Sequence, residues 1–217
     1  LDYLRAAGAI PDERVAEARQ LLVDAQQVHA TAEEKRELAM RVRAAALWRA
    51  ALAHLAAVLL AWAYNARLKT TPVSFVPFAV AFPLLVAFIT LGSPHASWPP
   101  WWALTAAALL GCSAHLVNVV PDLADDLATG VRGLPHILGR SRSVSATVVL
   151  LLAATVVESF GPGHPGWGAV AVLIAVALTM AAGIVLARRP GSRWLFRAVL
   201  LAAAIDVAEL VARGSRL

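Results

Sequence analysis

The sequence predicts an all-α fold, a polytopic membrane bundle of about six hydrophobic helices. Hydrophobic residues make up 59% of its 217 positions and charged residues only 15%, whereas soluble domains contain about 25% charged residues. Mean hydropathy is +0.68. The charges are also unevenly spread, because residues 1–43 hold seven of the nineteen Lys and Arg and eight of the fourteen Asp and Glu. The sequence therefore divides into a charged segment, residues 1–43, and a membrane bundle, residues 44–217.

The amino-terminal segment has the pattern of amphipathic helices. Pro11 opens a helical pattern, and Thr31 and Glu34 have the Thr-x-x-Glu spacing of a capping box. This spacing predicts that a second helix begins near residue 32 and runs on into the first membrane span. No window of about 20 residues lacks charge here, so we expect residues 1–43 to be helical without crossing the membrane.

Six apolar stretches follow, each a candidate membrane span. A helix needs about 20 apolar residues to cross the hydrocarbon core and satisfies its own backbone hydrogen bonds there. Abundant Ala and Gly favour close packing between such helices. The predicted spans are residues 44–63, 73–92, 102–120, 145–160, 168–187 and 198–212, of which the last is short.

The loops between the spans alternate in charge. Loops 64–72, 121–144 and 188–197 contain basic residues, among them Arg188 and Arg189 in the last. Loops 93–101 and 161–167 contain neither Lys nor Arg. The positive-inside rule places the three basic loops on the cytoplasmic side of the cell membrane. Six spans would put residues 1–43 outside, which conflicts with Arg41 and Arg43 just before the first span.

An acidic cluster at the end of the third span is the strongest chemical signal. Asn118, Asp122 and Asp126 are spaced by four, so on a continuing helix they share one face, and Asp125 lies beside them. Several carboxylates this close repel each other unless a cation joins them. Mg²⁺ takes oxygen ligands and is commonly shared between carboxylates and substrate phosphates. The alternative is a solvated acidic helix end, although His115 and Asn118 extend the polar face into the membrane, where polar groups indicate function.

Basic residues end the first span on the same side. Tyr64 and Asn65 are followed by Arg67 and Lys69. By themselves these cations are as consistent with membrane anchoring as with ligand binding. Their position on the same side as the acidic cluster favours ligand binding, since Lys and Arg bind phosphate groups directly.

Together these motifs resemble the UbiA superfamily of intramembrane prenyltransferases. The resemblance rests on Tyr64-x-x-x-x-Lys69, Asp122-x-x-x-Asp126 and Gly130-Val-Arg132, covers roughly residues 50–212, and is closest to actinobacterial members in residues 118–139. It implies that Mg²⁺ and basic residues hold a prenyl diphosphate, whose prenyl group passes to a lipophilic, possibly aromatic, acceptor.

The resemblance also assigns roles to individual residues. It implies that Asp122 and Asp126 are the catalytic second aspartate motif. The implied metal ligands are Asp122, Asp125 and Asp126, and the implied substrate-binding residues are Tyr64, Asn65, Lys69, Asn118 and Arg132. Its implied partners are the two substrates and the lipid bilayer, and we expect no nucleic acid.

The sequence departs from the family pattern in one respect. The family has nine spans and a first aspartate motif, Asn-Asp-x-x-Asp-x-x-x-Asp, which does not occur here. The six predicted spans look like the fourth to ninth, so half of the family's metal site is missing. Two alternatives therefore stand beside a prenyltransferase: a non-catalytic membrane remnant of the family, and a small-solute transporter with His115, Asp206 and Glu209 along its path. No inverted repeats support the transporter.

Overall fold

The computed structural model describes residues 11–163, 166–187 and 193–212, and within these ranges the chain forms helices and no strand. This confirms the predicted all-α fold. Arg188 and Arg189 of the third basic loop lie outside the described residues. The helices are α1 (Asp12–Ala66), α2 (Val76–Gly92), α3 (Trp101–Val119), α4 (Leu123–Ala128), α5 (Leu134–Phe160), α6 (Trp167–Leu186) and α7 (Trp194–Ala212), with 3₁₀ turns at Leu68–Thr70 and Val120–Asp122.

Each of the six predicted spans overlaps one helix, and those that extend beyond their helix do so by one to three residues. Among the described residues, four helices are long and apolar enough to cross a membrane: α1, α3 with its continuation to Ala128, α5 and α6. Helix α2 is apolar but shorter, and α7 contains the acidic residues Asp206 and Glu209. The chain is thus a multi-pass membrane protein, whereas crossing of the membrane by α2 and α7 stays a prediction.

Contacts divide the chain into two compact units, Leu1–Ala46 and Leu47–Leu217. In the first unit, the predicted start of a second helix near residue 32 is wrong, because α1 continues through this point. The hydroxyl of Thr31 donates to the carbonyl of Gln27 at 2.9 Å. A capping box caps only where the preceding residues leave the helix, and here the preceding turn is helical. Whether residues 1–43 form a separate segment stays a prediction.

The second unit contains a bundle of helices α2 to α7. Some of these helices pack against the next helix in the sequence, and others pack against helices further along the chain. Helix α3 packs against α2 and α5, and α7 packs against α6. Small residues permit the close approaches: a methyl group on Gly183 would meet the side chain of Ala198. One buried cluster joins α3, α5, α6 and α7 and consists of Val117, Leu151, Val176, Met180, Leu195, Ala198, Val199 and Ala202. A second joins α1 to α2 through Ala50, Ala53, Ala87 and Leu91.

Two changes of chain direction form one end of this unit. Helix α3 passes at Val120–Asp122 into a 3₁₀ turn, which accommodates Pro121, and α4 continues it for six residues. Gly130 then has φ +83°, a left-handed conformation that favours glycine. The chain turns there and begins α5 at Leu134. The end of α3 and the start of α5 therefore lie together.

Candidate functional site

A polar pocket of about 210 Å³ lies at this end of the bundle unit. Four segments form it: the end of α1, the turn after α1, the chain from α3 to α4, and the start of α5. It is lined by Tyr64, Asn65, Lys69, His115, Asn118, Val119, Asp122, Asp126, Val131, Gly133, Pro135 and His136. The pocket thus brings together residues that are more than 60 positions apart in the sequence.

Asn118, Asp122 and Asp126 share this pocket although the helix that carries them changes type. Val120 and Leu123 keep helical backbone angles, and Asp122 between them departs from these to φ −101° and ψ 5° without reversing the chain. The four-residue spacing therefore still places the three side chains on one face. Asp126 is further held through its carbonyl, which accepts hydrogen bonds from the Val131 N–H at 2.9 Å and the Thr129 hydroxyl at 3.0 Å.

Gly133 sets the distance between the turn after α1 and the start of α5. A Cβ atom at this position would lie 2.5 Å from the carbonyl oxygen of Lys69 and 2.9 Å from Oγ of Ser74. Only a residue without a side chain allows the two backbone segments to come this close. This approach brings the turn to the pocket, which Lys69 lines together with the carboxylates of the α3–α4 segment.

His115 and Ser74 form a buried link between three segments. Nε2 of His115 lies 3.0 Å from Oγ of Ser74, which also accepts the N–H of Leu134 at 3.0 Å. Ser74 is fully buried, so its hydroxyl hydrogen needs a nearby acceptor, and Nε2 provides one. The imidazole then carries its proton on Nδ1, an atom with no hydrogen-bond partner among the described residues. The rings of Tyr64 and Phe78 enclose this histidine at centroid distances of 5.7 and 4.8 Å.

His136 is the site residue that the sequence reasoning missed. Its side chain is 3% exposed, and its Nε2 lies 3.3 Å from Oδ2 of Asp126. Nδ1 accepts the N–H of Gly133 at 3.1 Å. The available signal was position, since residue 136 is the third residue of α5 and such a side chain can reach back to the N-cap backbone.

Two predicted site residues do not line the polar pocket. Arg132 is exposed, and only its neighbours Val131 and Gly133 contribute to the lining. Asp125 faces a second cleft of about 760 Å³, which also contains Arg140 and Arg193. Asp122 lines both cavities. The consecutive carboxylates Asp125 and Asp126 therefore point to different spaces, because neighbours on a helix lie about 100° apart.

An apolar cavity of about 610 Å³ adjoins the polar pocket. Asn118 lines both, so the two spaces meet at this residue. The cavity walls come from α2, α3, α5 and α7 and are almost entirely aliphatic and aromatic, including Phe78, Phe82, Leu110 and Phe196. Such a cavity suits a hydrocarbon chain.

Buried acidic residues lie between α5 and α7. Asp206 is fully buried, and its carboxylate accepts a hydrogen bond from the hydroxyl of Thr155 at 3.0 Å. Glu209 accepts one from Ser159 at 3.1 Å. Asp206 lines the apolar cavity, whereas His115 lines the polar pocket. Asp206 and His115, two of the three residues suggested for a transport path, therefore lie in different cavities.

The carboxylates of the polar pocket are possible ligands for Mg²⁺. No group of three or more His, Cys, Asp and Glu side chains in the described part of the chain could hold a metal ion by itself. Asp122 and Asp126 are the carboxylates that line the pocket. Two carboxylates are the usual protein contribution where Mg²⁺ also binds water and substrate phosphates. The donor set therefore fits a metal shared with a phosphate ligand.

Fold and pocket together define a multi-pass helical membrane protein with a polar pocket that opens beside an apolar cavity. The chain belongs to the UbiA prenyltransferase family, whose model matches residues 38–204. This confirms the resemblance inferred from the motifs. No curated protein and no solved structure gives a significant match to the chain.

Proposed function

We propose that this protein binds a prenyl diphosphate with Mg²⁺ and transfers the prenyl group to a lipophilic acceptor. The observation that carries the proposal is the junction at Asn118. A pocket with carboxylates and a lysine lies on one side of this residue, and an apolar cavity lies on the other. A prenyl diphosphate has the same division into an anionic head and a hydrocarbon tail.

The charges of the pocket suit a metal-bound diphosphate better than a free anion. Asp122 and Asp126 repel a diphosphate unless a cation lies between them, whereas Lys69 attracts it directly. We assign the two carboxylates to Mg²⁺ and Lys69 to the diphosphate oxygens. Tyr64, Asn65 and Asn118 add polar atoms to the same wall and are assigned to substrate binding.

The transfer would proceed by departure of the diphosphate. The bond between the allylic carbon and oxygen breaks, and the diphosphate leaves with the electron pair. The acceptor then forms a bond to that carbon and loses a proton. Bound Mg²⁺ would supply stabilisation of the charge on the leaving group. Lys69 stabilises the same charge, and the apolar cavity keeps water from the cationic carbon.

Binding to the purified chain in detergent tests the proposal, with geranylgeranyl diphosphate as the probe. In Mg²⁺ we expect Asp122→Asn, Asp126→Asn and the double variant to weaken binding, because the metal loses its protein ligands. In EDTA we expect Lys69→Ala to weaken the residual binding, whereas Arg142→Ala, which removes an exposed charge outside the pocket, leaves it unchanged. Asp125→Asn tests the third predicted ligand separately.

Two results would contradict the assignment. Undiminished Mg²⁺-dependent binding by the double aspartate variant would remove the carboxylates from the site. Absence of any Mg²⁺-dependent binding by the unaltered chain would contradict prenyl diphosphate as its ligand. Binding without transfer to any acceptor would instead favour the non-catalytic alternative. We place the basic loops in the cytoplasm and the protein in the cell membrane, as the charge pattern predicts.

A further inference from the structure

We propose that His136 is a positioning residue that holds the carboxylate of Asp126 in place for metal binding. The inference rests on the proposed function, since it concerns one of the carboxylates assigned to Mg²⁺. Three observations carry it: the tautomer of the imidazole, the burial of its free nitrogen, and its distance from Asp126.

The backbone fixes the tautomer of His136. Nδ1 accepts a hydrogen bond from the N–H of Gly133 at 3.1 Å, so this nitrogen carries a lone pair. A neutral imidazole then carries its proton on Nε2. Because Gly133 is itself confined by Lys69 and Ser74, the ring has a fixed anchor at the start of α5.

The protonated Nε2 lies close to a carboxylate without forming a well-aligned hydrogen bond to it. Nε2 is buried and makes no aligned hydrogen bond with any described residue, and Oδ2 of Asp126 lies 3.3 Å away. A buried donor is costly unless an acceptor compensates it, and Asp126 is the acceptor within reach. The contact involves Oδ2 of Asp126, and we assign Oδ1 to a ligand in the pocket. Histidine and carboxylate partners of this kind commonly orient the residues that bind metals.

Two substitutions of His136 separate the two nitrogen atoms. Asparagine has an amide oxygen near the position of Nδ1, so His136→Asn can still accept the Gly133 N–H but has no donor near Nε2. Glutamine is longer by one methylene and can place an N–H near Asp126. The measurement is the Mg²⁺ concentration that gives half-maximal binding of geranylgeranyl diphosphate to the full chain in detergent, together with binding in EDTA.

We expect His136→Asn to raise the required Mg²⁺ concentration by about 10- to 100-fold, the usual effect of losing such a partner. His136→Gln should restore it to within about threefold of the unaltered chain, and each variant should affect binding in EDTA, which depends on Lys69, less than His136→Asn affects binding in Mg²⁺. In an Asp126→Asn background, His136→Asn should have no further effect, because its target carboxylate is gone. His95→Asn, at an exposed loop position, is the control.

The outcomes distinguish this inference from the proposed function. If His136→Asn needs no more Mg²⁺ than the unaltered chain, or if His136→Gln fails as badly as His136→Asn, the positioning role is wrong while the metal site stands. A further loss in the Asp126→Asn background would likewise show that His136 acts through another residue. If the unaltered chain shows no Mg²⁺-dependent binding of geranylgeranyl diphosphate, both proposals are wrong.

Discussion

Replacement of Gly133 by Ala tests whether the close approach of two backbone segments builds the polar pocket. The backbone at this residue has φ −74° and ψ −177°, a conformation that alanine adopts readily. Any effect must therefore come from the added methyl group. Its carbon would lie 2.5 Å from the Lys69 carbonyl oxygen, whereas ordinary contacts begin at 3.4 Å. The turn that carries Lys69 must then move away from α5 by roughly 0.9 Å.

This displacement of the turn costs free energy. Extra methyl groups in packed sites typically destabilise by about 1 to 3 kcal/mol. Moving the turn would also stretch the hydrogen bond from the Leu134 N–H to Ser74, now 3.0 Å long. If Lys69 must return to its original position to bind the ligand, binding has to overcome this cost, and affinity falls about tenfold per 1.4 kcal/mol. We expect Gly133→Ala to reduce metal-free pyrophosphate binding by roughly 5- to 150-fold over this range of free energy.

The assay is calorimetric titration with pyrophosphate in EDTA, together with thermal unfolding of the protein in detergent. Gly166→Ala is a matched control. Gly166 also lies directly before a helix, and its own backbone angles, φ −85° and ψ 175°, are similar. A Cβ atom added at Gly166 would have no atom within 4 Å. Equal affinities and unfolding temperatures for the two variants would refute the reasoning. They would mean that the turn absorbs the methyl group without displacing Lys69.

Three further predictions concern the rest of the bundle. Thr155→Val should lower the free energy of unfolding by about 1 to 3 kcal/mol, since the buried Asp206 loses its hydroxyl partner. The control is Thr179→Val, which should lower it less, because the Thr179 hydroxyl donates within its own helix. Equal losses for the two variants would contradict a specific stabilisation of Asp206 by Thr155. In a chain with Cys112 replaced by Ser, a cysteine at exposed position 95 should react with an impermeant thiol reagent on intact cells. A cysteine at exposed position 124 should react only after permeabilisation. The reverse pattern would show that the predicted cytoplasmic and outer sides of the membrane are exchanged. Ala203→Phe narrows the apolar cavity and should weaken binding of geranylgeranyl diphosphate more than binding of the shorter dimethylallyl diphosphate. The control Ala204→Phe, at an exposed neighbouring position, should affect neither. An equal loss for both ligands would show that the cavity does not bind the prenyl tail.

Much of the candidate site could be predicted from sequence because its members follow local rules. The four-residue spacing of Asn118, Asp122 and Asp126 placed them on one helical face, and that face survives the 3₁₀ turn at Pro121. Lys69 belonged to the same side of the membrane by the alternation of loops. The prediction that a helix begins near residue 32 was wrong, although it also used a local rule. A capping box marks a helix start only where the preceding residues are not helical, and here the helix already continues.

The roles of Asp125 and His136 depended on information that spacing does not contain. Asp125 shares its sequence neighbourhood with Asp126, yet it lines another cleft, because that assignment depends on which helices pack against each side of α4. His136 reaches Asp126 only because the chain reverses at Gly130 and resumes as α5. No periodicity along the sequence encodes the distance between these two residues.

The sequence by itself determined the membrane class, the helical segments and the chemical types at the ends of the spans. These follow from hydropathy and helical period, which act over neighbouring residues. Only the tertiary structure decided that Lys69 lines the same pocket as the carboxylates, that Asn118 joins this pocket to an apolar cavity, and that His136 contacts Asp126. Each depends on the close approach of segments far apart in the chain, which a few glycine contacts and buried hydrogen bonds fix in three dimensions.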